Sequence, residues 1–331
     1  MTKNYKILIY LALINIMLFG FLSKANSEEN FESWLSSFKD YAFSKGVSKT
    51  TISIAFKNVK FLEQVIKYDR KQPEFFEDTI TYVNKRANKL RVIKARKLLK
   101  ENKKLFDDVE NKFFVEKELL LALWGIETNF GKHVGKMDII SSLATLSFDK
   151  RRRDFFSSQL LTLLKLIDKN LIDPSTLFGS WAGAYGNFQF MPSTIKNYAI
   201  DYDGNNKIEL KSSLKDSVAS AANYINRIGW NNQSPCFYRV KLTRKIKKRY
   251  LNTSARKITN KLKISKWKEK GVVNFDNTEL NGNLTAALIL PDGKDDTPIY
   301  LVFPNYEKIL KWNRSLRFGI SVCTLANKIK T

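Results

Sequence analysis

Residues 119–131 read Leu-Leu-Leu-Ala-Leu-Trp-Gly-Ile-Glu-Thr-Asn-Phe-Gly, and the only charge among them is Glu127. A helix lying on a protein surface breaks its apolar run every few residues. The segment from Lys117 to Phe130 does not, so it predicts a helix buried on every side. Gly131 suits its stop, because the residue just past a helix end often needs left-handed backbone. A helix buried all round needs neighbours, and both flanks supply them. From Phe31 to about Asp173 apolar residues recur at helical spacing, as in Trp34, Leu35, Phe38 and Ala42. A long basic helix is predicted from about Phe75 to Lys100, after the Gln72-Pro73-Glu74 break. Ser193 begins another helix. Ser213 with Asp216 makes a start resembling a capping box for one that ends at Gly229. From Cys236 to about Phe303 the pattern shifts to short β-prone runs, such as Cys236 to Leu242 and Ala286 to Leu290, with a turn signal at Asp292-Gly293. A helical pattern from about Tyr306 to Lys328 closes the chain. The expectation is a mainly α protein with a small β-containing subdomain near its C-terminus.

Glu127 falls in the last turn of the apolar helix. Burial disfavours a carboxylate, and so does the partial negative charge at a helix C-terminus, so both push its pKa upward. A carboxylic acid that keeps its proton near neutral pH can protonate a leaving oxygen such as that of a glycosidic bond. Spacing alone leaves the other reading open, in which Glu127 turns out to solvent from a frayed helix end.

Several chemistries are excluded by count. The 331 residues contain one histidine, His133, so a multi-histidine zinc site cannot be built and a Ser-His-Asp or Cys-His mechanism would have to use that residue. Gly125 to His133 superficially resembles a phosphate loop. It has five residues between the glycines instead of four, and His133 stands where Ser or Thr should ligate magnesium. No G-x-G-x-x-G dinucleotide fingerprint occurs. Carboxylate chemistry remains.

Residues 1–25 read as a signal peptide: Lys3 and Lys6, an apolar run from Ile7 to Phe21 broken by Asn15, and a small-x-small site at Ser23-Lys24-Ala25. The alternative, an uncleaved anchor, meets the difficulty that a spanning helix needs about 20 apolar residues. No Cys follows the run to carry a lipid. A periplasmic location after cleavage near Ala25 is expected. An oxidising compartment permits Cys236 and Cys323 to pair, though sequence does not bring them together. Net charge is +25, densest between Arg239 and Lys270. An exported chain seldom meets nucleic acid, so the charge points to an anionic envelope surface or simply to a lysine-rich solvated exterior.

Residues 179–192, Gly-Ser-Trp-Ala-Gly-Ala-Tyr-Gly-Asn-Phe-Gln-Phe-Met-Pro, pack glycines and aromatics with no charge. Together with Trp124-Gly-Ile-Glu-Thr-Asn-Phe-Gly131 they resemble the B-type lytic murein transglycosylases, glycoside hydrolase family 103. The similarity extends to Asp69-Arg70-x-Gln72-Pro73-Glu74-Phe75, Ala144-Thr-Leu-Ser-Phe148, Ala222-Asn-Tyr224 with Gly229-Trp230, and Trp312-Asn-Arg-Ser315. It covers nearly the whole mature chain in order.

The resemblance implies a lysozyme-like helical domain over 26–235 with a deep substrate groove, a small β-containing subdomain over 236–304, and a C-terminal helix over 305–331 returning to the groove. It implies a reaction that cuts the bond between N-acetylmuramic acid and N-acetylglucosamine without water, leaving a 1,6-anhydromuramoyl end, with Glu127 as acid and then base. By the same resemblance Ser180 and Gln189 hydrogen-bond the sugars, and Tyr82, Phe190, Tyr224 and Asn313 line the groove. Arg151 and Arg152 match a pair suited to stem-peptide carboxylates; their other reading is an exposed charge run. Trp312 and Phe155 stand where tyrosines are expected, which keeps stacking and puts a phenol hydrogen bond in doubt. Asp201, Asp203 and Asn205 align with the family's calcium loop, although Asn206 replaces the turn glycine and Ser212 the closing acidic ligand. No cofactor is required, and calcium enters only as a structural ion. The expected partners are glycan strands with stem peptides, met by a monomer, and no nucleic acid. Two further readings stay open: a hydrolytic muramidase using Asp149 or Asp154 to activate water, and a wall-binding scaffold without turnover.

Overall fold

The computed structural model describes residues 30–71, 77–280, 282–294 and 296–331. The leader 1–25 and the break at 72–74 lie outside them. The helical part runs α1 (Phe31–Ser44), α2 (Lys49–Ala55), α3 (Glu63–Arg70), α4 (Thr79–Arg86), α5 (Lys89–Glu101), α6 (Lys103–Phe113) and α7 (Lys117–Thr128). A two-residue strand β1 (Met137–Asp138) pairs antiparallel with β2 (Phe178–Gly179) on either side of α8 (Ile139–Phe148) and α9 (Arg153–Asp168). Helices α10 (Pro192–Tyr198) and α11 (Leu214–Arg227) follow. Among the described residues no helix is long and apolar enough to cross a membrane.

The apolar run does what its composition requires. Leu119 to Gly125 are all buried in α7, which is packed round by α5, α6, α11 and the C-terminal helix α14 (Leu316–Lys330). A second buried helix, α8, has every residue from Ile139 to Ser147 inside, with α9, α3 and α1 against it. One contiguous apolar core joins the two.

Two helical expectations need correction. The basic helix predicted from Phe75 to Lys100 is, among the described residues, two helices. α4 ends at Arg86, with Ala87 as its C-cap, and Asn88 caps α5 by accepting the Arg91 N–H at 2.9 Å. An asparagine side chain competes with the helical backbone bond and so starts a helix better than it continues one. The pattern over Tyr306 to Lys328 likewise divides, into α13 (Pro304–Trp312) and α14. Asn313 is extended, and Ser315 caps α14 through the Phe318 N–H.

Strands fill the region expected to be β-rich: β3 (Phe237–Leu242), β4 (Leu251–Asn252), β5 (Leu262–Lys263), β6 (Val272–Asn274), β7 (Thr285–Ile289) and β8 (Ile299–Val302), with α12 (Ile264–Glu269) between β5 and β6. The sheet order is β4-β7-β8-β3-β6, with β5 also on β7; only β4 and β7 run parallel. Alternation sends Leu288 and Leu301 toward Trp267 on α12. Ile289, Tyr300 and Val302 go the other way, toward Tyr306 and Leu310 of α13 and Ile320 of α14. Both faces are covered, so the central strands read as apolar runs. Cys236 and Cys323 form a disulfide, Cα to Cα 6.2 Å, that fastens the start of β3 to α14.

Candidate active site

α7 ends abruptly, and the way it ends presents Glu127. Asn129 and Phe130 have φ of 51° and 60° and Gly131 has 80°, so the chain reverses over three residues. A phenylalanine rarely accepts left-handed backbone. Phe130 is held there by packing, its ring edge-on to Trp124 at 5.7 Å and against Gly125, where any side chain would collide with it. The stop thus begins two residues before the expected Gly131. Glu127 emerges half-buried between buried Gly125 and Thr128.

Thr128 and Trp124 fasten the glycine-rich loop to this helix end. Thr128 Oγ1 donates to the Asn187 carbonyl oxygen at 2.8 Å, and Trp124 Nε1–H donates to Asn187 Oδ1 at 3.1 Å. Asn187 Nδ2 in turn donates to Ser217 Oγ on α11 at 3.1 Å. Asn187 is buried, and its role was not legible in the sequence, where it is one asparagine in a small-residue run. Gly186, at φ 79°, passes so close to the Leu210 carbonyl that a β-carbon would overlap it.

The loop residues expected to meet sugars are tied to their own backbone. Ser180 Oγ accepts the Ala184 N–H at 2.9 Å, which leaves its O–H as a donor. Gln189, at φ 52°, donates through Nε2 to the Gly186 and Val134 carbonyls, leaving Oε1 as the acceptor it can offer. Beside Ser180, Trp181 lies 6.4 Å from the half-exposed ring of Tyr68 on α3, an aromatic surface that sequence reading passed over.

Across from the loop, α13 brings Trp312 onto the carboxyl. Its Nε1–H donates to Glu127 Oε1 at 2.9 Å. The indole stacks on Tyr224 (5.0 Å between centroids, 21° between planes), and Tyr224 stacks on Tyr198 (4.3 Å). Phe190 meets the indole edge-on at 5.3 Å. Burial, reinforced by Tyr198, pushes the Tyr224 hydroxyl up to about 12, and that hydroxyl donates to the Lys311 carbonyl at 3.1 Å. Stacking at Trp312 is kept as expected, and the position makes a hydrogen bond through an indole where a phenol was expected. Phe155 is exposed and packs on Phe156.

Other expectations change. Tyr82 is only 1% exposed and the Arg86 guanidinium lies over its ring, so it offers no face to a ligand in this structure. Phe190, 3% exposed, supports the aromatic stack from behind. Asn313 is half-buried beside Trp312. Arg151 and Arg152 are not a loose charge run. Both guanidinium groups bond buried Asp69 on α3, Arg151 reaching its carbonyl as well at 2.8 Å. Asp149, one of the residues considered for water activation, is engaged by Arg70 at 2.6 Å and by the Arg151 N–H. The other, Asp154, is exposed in the first turn of α9.

The acidic loop brings two of the expected residues together with a third carboxylate. Carboxylate oxygens of Asp201, Asp203 and Asp216 lie within 4.8 Å of one another. Asn205 is turned aside, its amide donating to Glu209 and its oxygen accepting the Lys207 N–H. Asn206 takes the left-handed turn, φ 65°, in place of a glycine. Asp216 does more than open α11: it is fully buried, accepts the Tyr202 and Glu209 N–H groups, and has its pKa raised, first by burial.

A glutamate at the end of a buried helix, faced by a glycine-rich loop and an aromatic stack, defines the lysozyme-like class of helical folds. Residues 30–327 match the transglycosylase SLT domain family, and the chain belongs to it. Membrane-bound lytic murein transglycosylase B of Escherichia coli strain K12 is 31% identical over 226 residues, 65% of this chain and 57% of that protein. The chain thus spans little more than half the length of this curated relative. Crystal structures of SltB3 from Pseudomonas aeruginosa, with NAG-NAM-pentapeptide and with NAG-anhNAM-pentapeptide, superpose with a TM-score of 0.84 at 32% identity, covering 91% of this chain and 80% of that one. Escherichia coli Slt35 in complex with calcium gives 0.76 at 26% identity, covering 89% and 92%.

Proposed function

We propose that this chain is a peptidoglycan lytic transglycosylase, cleaving the β-1,4 bond between N-acetylmuramic acid and N-acetylglucosamine without water to leave a 1,6-anhydromuramoyl end. The observation that carries this is Glu127, half-buried at the end of an apolar helix and bonded by Trp312. Its carboxyl group protonates the leaving glycosidic oxygen. As a carboxylate it then takes the proton of the muramoyl 6-hydroxyl while that oxygen attacks the anomeric carbon. No second carboxylate is needed as nucleophile if the substrate's own N-acetyl oxygen meets the cationic carbon, as in substrate-assisted glycosidases. The protein's task is then positioning and exclusion of water. Ser180 and Gln189 suit the sugars flanking the cut, and the Asp69-anchored arginines suit stem-peptide carboxylates. SltB3, the structural relative, was solved with disaccharide-pentapeptides of both kinds.

The chemistry needs no cofactor. The clustered carboxylates of Asp201, Asp203 and Asp216 suit a divalent cation, and a structural calcium ion there would draw together the loop before α11. The leader supports export to the periplasm. Exposed Arg244, Lys245, Lys247, Lys248, Arg256 and Lys257 support contact with an anionic envelope surface.

The test is digestion of purified sacculi followed by mass analysis of the muropeptides. Wild type is expected to release anhydro products, lighter by one water than hydrolytic ones, and Glu127→Gln to release none. Hydrated products would replace this reading with a muramidase. Binding without release would replace it with a scaffold.

A further inference from the structure

We infer that the cleft between α1 and α2 is a docking surface for an anionic phospholipid membrane, with Lys39, Lys49 and Lys57 taking the lipid phosphates and Phe43 entering the acyl layer beneath them. The surface is separate from the Glu127 site. α1 packs on α8 and α2 on α9, and no residue lining the cleft takes part in the proposed reaction, so the inference does not rest on that reading.

The cleft follows from the way one helix ends and the next begins. α1 stops at Ser44, Gly46 turns left-handed at φ 85°, and Ser48 Oγ accepts the Thr51 N–H at 3.1 Å to cap α2. The hydroxyls of Ser48 and Thr51 both donate to Asp168 on α9, at 2.5 and 2.7 Å, which fixes α2 in place. Between the two helices lies an open cavity of about 490 Å³. Lys39, Asp40 and Phe43 line it from α1. Lys49, Ile52, Phe56 and Lys57 line it from α2 and the end of that helix, at helical spacing. Phe56 is buried and Ile52 half-buried, so the interior of the cleft is apolar, while Phe43 is 52% exposed and Ile54, on the same turn as Lys57, 56%.

Three lysines meet one aspartate here, and among the described residues none of the three ammonium groups bonds a carboxylate. Lys49 Nζ lies over the Phe43 ring, 5.3 Å from its centroid, and Lys39 Nζ over the Phe56 ring at 5.8 Å. An aromatic face attracts a cation but carries no net charge to neutralise it. The cleft thus sets free positive charge directly beside exposed apolar surface. A membrane has the matching order, phosphates lying immediately above acyl chains, whereas a lipid-free polyanion offers the charge without the apolar layer. Exposed apolar side chains scattered singly are ordinary; a phenylalanine held among unneutralised lysines fits the boundary between headgroups and acyl chains. Each lysine near an anionic leaflet strengthens binding by about fivefold, an effect that fades within a Debye length.

Flotation with vesicles of phosphatidylcholine containing about one third phosphatidylglycerol, against phosphatidylcholine alone, tests the inference. The chain used is the exported form, residues 26–331, which holds every helix and strand described. Wild type is expected to float with the anionic vesicles, to stay behind with the neutral ones, and to be released as salt rises. Lys39→Gln, Lys49→Gln and Lys57→Gln together should weaken partitioning about a hundredfold, and Phe43→Ser alone about three- to tenfold. Arg244→Gln, Lys245→Gln and Lys247→Gln together remove as much charge from the β-rich part and should weaken it less than about threefold. Equal losses in the two triple variants overturn the inference, because net charge alone then explains the binding. Phe43→Ser partitioning like wild type also overturns it, in favour of a lipid-free polyanion as partner. So does wild type that ignores the anionic vesicles or binds both kinds alike. Should the first triple variant not fold, Lys49→Glu, at an exposed position, replaces it, with a loss of about tenfold expected and no loss counting against the inference. Release of muropeptides from soluble strands should be unchanged in the lysine and Phe43 variants, while Glu127→Gln should float like wild type, so the membrane surface and the catalytic reading fail separately.

Discussion

Two glutamates bracket α7, and they differ in what holds them. Glu127 closes the helix and is bonded by Trp312. Glu116 precedes it as the N-cap, accepts the Trp230 indole N–H at 2.6 Å, and borders a cavity of about 290 Å³ next to the disulfide. Burial raises the Glu116 pKa above its ordinary 4.5, outweighing the Trp230 bond that lowers it. A group whose folded pKa lies above its unfolded one contributes stability that is full below the unfolded value and is lost as pH rises through the folded value. Glu116→Gln keeps an acceptor for Trp230 and removes the charge. It should therefore be more stable than wild type at pH 7 and indistinguishable from it at pH 4, measured as urea midpoints. An unchanged difference between the two pH values would show that burial of the charge is not the cause. At this scale sequence singled out Glu127 but did not show that Trp312 turns its indole N–H to it, because a motif gives residue type and order but not which atom faces which.

At the scale of elements, periodicity marked the helical and β-prone regions, missed short elements such as α12 and the β1–β2 pair, and ran helices together at joins. Asn88 and Ser315 each begin a new helix where the apolar spacing runs straight on. The second break is what brings Trp312 to α7, so a detail invisible to periodicity builds the site. The loop over 201–216 shows the same gap. The resemblance aligned Asn205 with a ligand position; in the fold its amide donates to Glu209, while Asp216 of α11 lies beside Asp201 and Asp203. With calcium at a hundredfold excess over its Kd, binding at this cluster should add about 2–3 kcal/mol of stability. Calorimetry should then show a melting midpoint that rises with calcium, falls with chelator, and is indifferent to both in Asp203→Asn. A calcium response that survives in Asp203→Asn would place the ion elsewhere.

At the scale of the whole molecule, the sheet and the two last helices form a unit that closes on the helical core. β7 and β8 are covered on one side by α12 and on the other by α13 and α14, and α14 itself lies along α7. The Cys236–Cys323 bond joins these parts across 87 residues of chain. Constraint of a loop that long stabilises by about 4–5 kcal/mol in the chain-entropy account. Paired replacement, Cys236→Ser with Cys323→Ser, is expected to lower the denaturation midpoint by a comparable free energy. Wild type kept under reductant should approach the same midpoint, and a midpoint insensitive to both changes would mean the link constrains little.

The succession of a helical part, a β-rich part and a closing helical part, the buried character of α7, and Glu127 as the ionisable group at its end were determined by sequence alone, because each follows from apolar periodicity or residue chemistry along the chain. Only the tertiary structure decided that Tyr82 and Phe190 are interior, that Asp69 anchors Arg151 and Arg152, that Asp216 lies beside Asp201 and Asp203, and that Trp312 reaches Glu127. Those outcomes depend on which side chains meet after residues up to 185 positions apart are brought together, and no local pattern records them.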